Sequence, residues 1–146
     1  MYDFIRVSSC VPSIEVADVA GNTERISAQI RQANEQGSGI ALFPELCLTG
    51  YTCQDLFLQQ TLLEDCERSI KSLAELTGQL HITALIGAPV RVLGQLYNCA
   101  VVLDDGAVAG IVPKTFLPNN GEYYEKRWFS SAEDLPAENL TVDYAG

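Results

Sequence analysis

Four apolar residues, Ile40-Ala41-Leu42-Phe43, run straight into Pro44 and Glu45. A short apolar run bounded by turn signals fits a strand buried on both faces. Proline has no N–H for a ladder, so Pro44 marks the end of that strand. Residues 4–10 alternate toward a first strand, and residues 82–89 form another continuous apolar run. Residues 97–103 and 107–112 flank Asp104-Asp105-Gly106, a hairpin signal between apolar segments. Two helices fall between the strands. The first carries Ile26, Ile30 and Ala33 on one face, with Asn22 or Thr23 as cap and Gly37 as its end. Asp18 to Asn22 reads as a loop before it. The second carries Leu63, Cys66, Ile70, Leu73 and Thr77 opposite a wet face of Glu64, Asp65, Glu67, Arg68, Lys71 and Glu75, with Gly78 as the stop. Val90 to Gly94 reads as a turn, and Leu140 to Tyr144 as a late strand-like piece. Residues 114–132 form a long, irregular, aromatic-rich loop, a type that often carries function.

Strand, helix, strand followed by a hairpin predicts an α/β (α+β) layered domain. Composition narrows the class. At 146 residues the chain is one domain or part of one, and 47% hydrophobic content is enough for a core. The net charge of −10 provides no basic footprint for nucleic acid. No apolar run approaches a membrane span, and residues 1–6 do not read as a secretory leader. Cys10, Cys47, Cys53, Cys66 and Cys99 are odd in number and lack zinc spacing, and His81 is the sole histidine. They read as reduced cytosolic thiols packed as small hydrophobes, with no metal site.

Candidate chemistry sits at the strand ends. Glu45 lies just past the carboxyl end of a buried strand, where open α/β sheets place ligands. Phe, Leu, Cys and Tyr neighbours in sequence predict a poorly solvated carboxylate suited to general-base work. Ile111-Val112-Pro113-Lys114 repeats the pattern with the opposite charge. Taken singly, Glu45 and Lys114 read as solvated strand-end residues and Tyr51 as a wall of the core. Two opposite charges at two strand ends can converge on one site.

Phe43-Pro44-Glu45, Gly50-Tyr51, Tyr97-Asn98, Pro113-Lys114, Leu117-Pro118, Glu122 and the run from Tyr124 to Phe129, in this order, resemble the nitrilase (carbon–nitrogen hydrolase) superfamily. Gly50-Tyr51-Thr52-Cys53-Gln54-Asp55-Leu56-Phe57 is similar to the amino-terminal glutaminase domain of glutamine-dependent NAD synthetases. The resemblance implies an α-β-β-α sandwich and amide hydrolysis through a cysteine thioester. It implies Glu45 as general base, Lys114 as stabiliser of the oxyanion, and Glu122 as the second glutamate that orients the lysine and the bound amide. Glu125 is the rival for that role; its plain role is a salt bridge to Arg127 or Lys126. Tyr51 would contact glutamine. Asn120 stands where a second substrate-lining tyrosine is common in the synthetase branch, so the aromatic wall is lost there.

The nucleophile implied by the resemblance follows the lysine by several tens of residues. All five cysteines precede Lys114 and none has the matching context. Cys47 is two positions from Glu45, too close along the chain to meet it productively. The expectation is therefore that residues 1–146 are the amino-terminal part of a glutaminase domain, inactive alone. The implied partners are glutamine, a synthetase domain using ATP and magnesium, and further copies of the chain. The location implied is cytoplasmic. A stand-alone amidase or carbamoylase is the enzyme alternative, and a non-catalytic binding module of the same fold the other. Half a sandwich would expose apolar sheet surface and associate.

Overall fold

The structure, a computed structural model, describes residues 4–137 and 139–145. Five strands form one sheet in the order of the chain: β1 (Val7–Ser9), β2 (Ile40–Leu42), β3 (Thr83–Val92), β4 (Gln95–Asp104) and β5 (Ala107–Pro113). β1, β2 and β3 pair in parallel, and β3, β4 and β5 form an antiparallel meander. Parallel neighbours need a crossover, and α1 (Val19–Glu35) and α2 (Gln60–Leu80) supply the two. Both helices lie on one face of the sheet.

That face is the core. Ile26 and Ile30 of α1 and Cys66, Ile70 and Leu73 of α2 are fully buried against Ala41, Ala84, Ile86, Val101 and Leu103. Each large aliphatic side chain so buried contributes about 1.5–3 kcal/mol. Successive side chains of a strand point to opposite faces. The other parity therefore meets no helix: Leu42 remains 45% exposed and Val112 60%. One helical layer on one sheet is half of an α-β-β-α arrangement, and its second face is open and partly apolar.

Several local expectations need correction. α1 starts at Val19 because Asp18, not Asn22 or Thr23, caps it, accepting from the Gly21 N–H at 3.1 Å. Asn22 is instead buried in the helix. Its amide donates to the carbonyls of Glu15 (2.8 Å) and Leu48 (3.1 Å), and its Oδ1 accepts from the Glu15 N–H. α2 passes through Gly78 and ends at His81, whose left-handed backbone (φ 56°) closes the helix. Gly78 serves packing: a Cβ there would stand 2.8 Å from the backbone of Gly106. β3 runs through Pro89 to Val92, so the turn is only Leu93-Gly94, both at positive φ. That is a two-residue hairpin whose twist suits the strands. The Asp105-Gly106 hairpin stands as expected. Leu140 to Tyr144 forms no strand among the described residues.

Candidate active site

Glu45 follows β2 in a tight turn. The Cys47 N–H bonds the Pro44 carbonyl, the Gly50 N–H bonds the Leu46 carbonyl, and the Leu48 N–H bonds the Gly87 carbonyl of β3. The turn lies so close to β3 that a Cβ on Gly87 would come within 2.4 Å of the Pro44 oxygen and the Leu46 nitrogen. Only glycine fits there, and the backbone carrying Glu45 is thereby held on the sheet.

Lys114 leaves the end of β5, its N–H bonded to the Asn98 carbonyl at 2.8 Å. Its Nζ reaches Glu45 Oε1 at 2.7 Å and Glu125 Oε1 at 2.9 Å. The two strand-end charges meet, as their sequence pattern suggested. Glu45 is 43% exposed, however, so it is not the desolvated carboxylate its apolar sequence neighbours implied. Phe43, Leu46, Cys47 and Leu48 point into the core, while Glu45 turns to the open side. Asn98 also reaches it, donating from Nδ2 to Oε1 at 2.5 Å. Glu45, Asn98 and Lys114 line a cavity of about 310 Å³ with Leu42, Gly87 and Val112.

The second carboxylate at the lysine is Glu125, not Glu122. Glu125 opens a 3-10 turn, Glu125–Arg127, and its side chain is 3% exposed. Its N–H bonds the Pro118 carbonyl, and its own carbonyl accepts from Trp128 and Phe129. Phe129 packs on Phe57 with ring centroids 4.9 Å apart, which draws this turn inward. The loop closes on the sheet through Ser130 to Leu96 and Ala132 to Lys114. Glu122 and Asn120 lie on the exposed part of the same loop, and no bond joins either side chain to Lys114. The plain role weighed for Glu125 also fails: Arg127 pairs with Asp55, through contacts of 2.8 and 2.9 Å. Trp128 Nε1 joins the same carboxylate at 3.0 Å.

Tyr51 faces this cluster and donates to Glu125 Oε1 at 2.7 Å. Burial, the Glu125 hydrogen bond and the charges of Glu125 and Glu45 push its phenol well above the ordinary range. It stays a neutral donor. Burial works against the Lys114 ammonium, but the hydrogen bonds and charges of Glu45 and Glu125 outweigh it and raise its pKa. The lysine is therefore a fixed cation. Glu125 Oε2 is buried with no hydrogen-bond partner. A buried, unpaired carboxylate oxygen costs stability unless a ligand or water satisfies it.

All five cysteines are buried, and burial pushes the thiols of Cys47, Cys66 and Cys99 up to about 12. Cys47 donates to the Gly87 carbonyl and not to Glu45. Reactive cysteines have depressed pKa values, so these three are packing residues. Asp55 and Asn98 were not singled out in sequence as site residues. Asn98 did leave a signal: it is one amide in an apolar strand, and a buried amide requires partners.

Residues 6–143 match the carbon–nitrogen hydrolase family. The chain belongs to that family. It is 37% identical over 126 residues to a glutamine-dependent NAD(+) synthetase of Mycobacterium tuberculosis (strain ATCC 25618 / H37Rv), covering 86% of this chain and 19% of that protein. Among solved structures, a glutamine-dependent NAD(+) synthetase from Cytophaga hutchinsonii superposes with a TM-score of 0.85 at 33% identity, over 95% of this chain and 23% of that one. An amidase from Nesterenkonia sp. superposes with a TM-score of 0.78 at 22% identity, over 97% and 52%. That likeness shows the nitrilase-type fold. The carbon–nitrogen hydrolase chain described here thus spans about a fifth of the first synthetase and about half of the amidase.

Proposed function

We propose that this carbon–nitrogen hydrolase chain forms the amino-terminal part of a glutaminase that releases ammonia for an NAD synthetase. The observation that carries the reading is the Lys114 ammonium held between Glu45 and Glu125 at the strand ends. Identity above 30% to named glutamine-dependent synthetases supports glutamine over the substrates of stand-alone amidases, to which the likeness is one of fold.

In this reading a cysteine thiol outside residues 1–146 attacks the side-chain amide carbon of glutamine. Glu45 accepts the thiol proton as the C–S bond forms, and Lys114 faces the oxygen that becomes negative. A fixed cation aimed at developing charge in a partly closed site lowers the barrier without reorganising. The tetrahedral intermediate collapses, the C–N bond breaks, and the Glu45 proton leaves with ammonia. Water then attacks the thioester, Glu45 takes its proton, and glutamate and the thiol are regenerated. The buried Glu125 oxygen offers an acceptor for an N–H of the bound amide, and Tyr51 borders the same space. ATP and magnesium would serve the synthetase portion, which adenylates and amidates the dinucleotide.

The test uses the full-length protein with glutamine or ammonium as nitrogen source. Glu45→Ala and Lys114→Met are expected to abolish NAD formation from glutamine and to leave formation from ammonium within about twofold. Glutamine-driven synthesis that survives both changes would sink the reading. Equal loss with both nitrogen sources would assign the two residues to structure alone.

A further inference from the structure

Asn98 has no part in the chemistry described above, yet it touches both of its charged members. It lies in β4 opposite Pro89 and is 3% exposed. Its side-chain amide donates to Glu45 Oε1, and its carbonyl accepts from the Lys114 N–H. Glu45 Oε1 thus receives two donors, Asn98 Nδ2 at 2.5 Å and Lys114 Nζ at 2.7 Å. No bond from the described residues reaches Glu45 Oε2.

We propose that Asn98 is a positioning residue that sets the rotation of the Glu45 carboxylate, leaving Oε2 as the proton-accepting oxygen. The lysine cannot do this alone. An ammonium is a compact charge on a flexible stem and accepts many approach angles. The planar amide of Asn98 is fixed on a central strand and has a directional N–H. Glu45 is 43% exposed, so packing does not lock its torsions. One backbone bond from Lys114 to the same residue ties the oxyanion side of the site to the base side. A Glu45 free to rotate would offer either oxygen, and misplacement of about 1 Å costs about 10²-fold in rate.

This inference rests on Glu45 acting as the base. In the full-length protein, Asn98→Ala, Asn98→Leu and Asn98→Asp are compared with wild type for kcat and KM in glutamine hydrolysis. Thermal melting and ammonium-driven NAD formation are followed in parallel. The expected result is a fall in kcat of about 10–100-fold, with KM within about threefold. Asn98→Asp should be the slowest, because a carboxylate of the same shape cannot donate and repels Glu45. A residue that only fills space would rank the other way, with Asp milder than Leu. Asn98→Ser covers the case in which Leu or Asp fails to fold: its hydroxyl keeps a donor and should place kcat between wild type and Ala. Unchanged kcat in Asn98→Ala, a rise in KM alone, or a Ser variant no faster than Ala would each overturn the proposal. Glu45→Ala separates the two readings. If it retains glutamine turnover, the base assignment itself fails; if it is inactive while Asn98→Ala is normal, only the positioning role fails.

Discussion

Two ion-pair groups flank the same loop and are built in opposite ways. Asp55 and Arg127 meet through a two-pronged contact, and Trp128 adds a third donor to the same carboxylate. Both side chains are 61% exposed. Every group finds a partner, and the contact joins the 3-10 turn Gln54–Leu58 to the turn that carries Glu125. Lys114 instead faces two carboxyl groups, one of them buried with an oxygen left empty. A site selected only for stability would have filled that oxygen or removed the charge. The first group fixes a loop. The second keeps unspent hydrogen-bonding capacity where a ligand can use it.

The sharpest way to break this contrast is to exchange the two glutamates of the loop. Glu125→Gln in the full-length protein is expected to reduce glutamine hydrolysis by about 10²–10³-fold, the scale of losing one charged contact to a reacting group. Glu122→Gln should stay within about twofold in the same assay. The reverse ranking would place the working carboxylate on the exposed side of the loop. A second comparison concerns stability. Lys114→Met removes the cation from the buried Glu125, leaving it the Tyr51 hydroxyl as donor, and should lower stability by about 1–3 kcal/mol in chemical denaturation. Asp55→Asn keeps acceptor and shape on the surface and should change the midpoint far less. Equal losses would show that the exposed contact is structurally as important as the buried one.

The smallest effect is the pH response, which should separate the two groups. Hydrogen bonds from Arg127 and Trp128 hold the Asp55 carboxyl well below its ordinary 3.8. Its contribution is therefore present above about pH 4 and is lost as pH falls through the depressed value. The Lys114 pKa is raised above its ordinary 10.5, so its contribution is present below that value and is lost as pH rises past it. Trp128 is the only tryptophan of the chain and touches Asp55 directly. Its fluorescence should change on the acid side and remain constant between about pH 6 and about pH 10. A change confined to the alkaline side would mean that Trp128 reports on Lys114 and not on Asp55.

Much of this arrangement was legible from pattern. Apolar runs ending in Pro44 and Pro113 located two strand ends, and the charge after each proline located Glu45 and Lys114. Periodicity located both helices. The misses have physical causes. Gly78 resembled a helix stop because local preference says nothing of Gly106 pressing against it from another element. Asp18 outcompeted Asn22 as cap because Asn22 was needed inside, bonded to Leu48. Glu125 and Glu122 differ by less than one turn of loop. What decides between them is Phe129 seated on Phe57, a contact between residues 72 positions apart in sequence. Spacing from Lys114 could not reveal that. The solvation of Glu45 was misjudged because sequence neighbours are not spatial neighbours when the chain turns at a proline.

The sheet's strand order, identical to chain order, also has a kinetic consequence. Every strand pairs with the one made just before it, and the meander from β3 to β5 needs only two short turns to form. Local pairing has a low loop-closure cost and is fast. Asn98 and Lys114 ride on that meander, whereas Glu45 waits for a crossover of some forty residues and Glu125 for a loop that docks last. On a ribosome, where synthesis proceeds at about 5–20 residues per second, Glu45 emerges well before Asn98 and Lys114, and Glu125 follows the lysine by 11 residues. The meander then carries Asn98 and Lys114 to a base whose strand has already been made, and the buried carboxylate closes the site last.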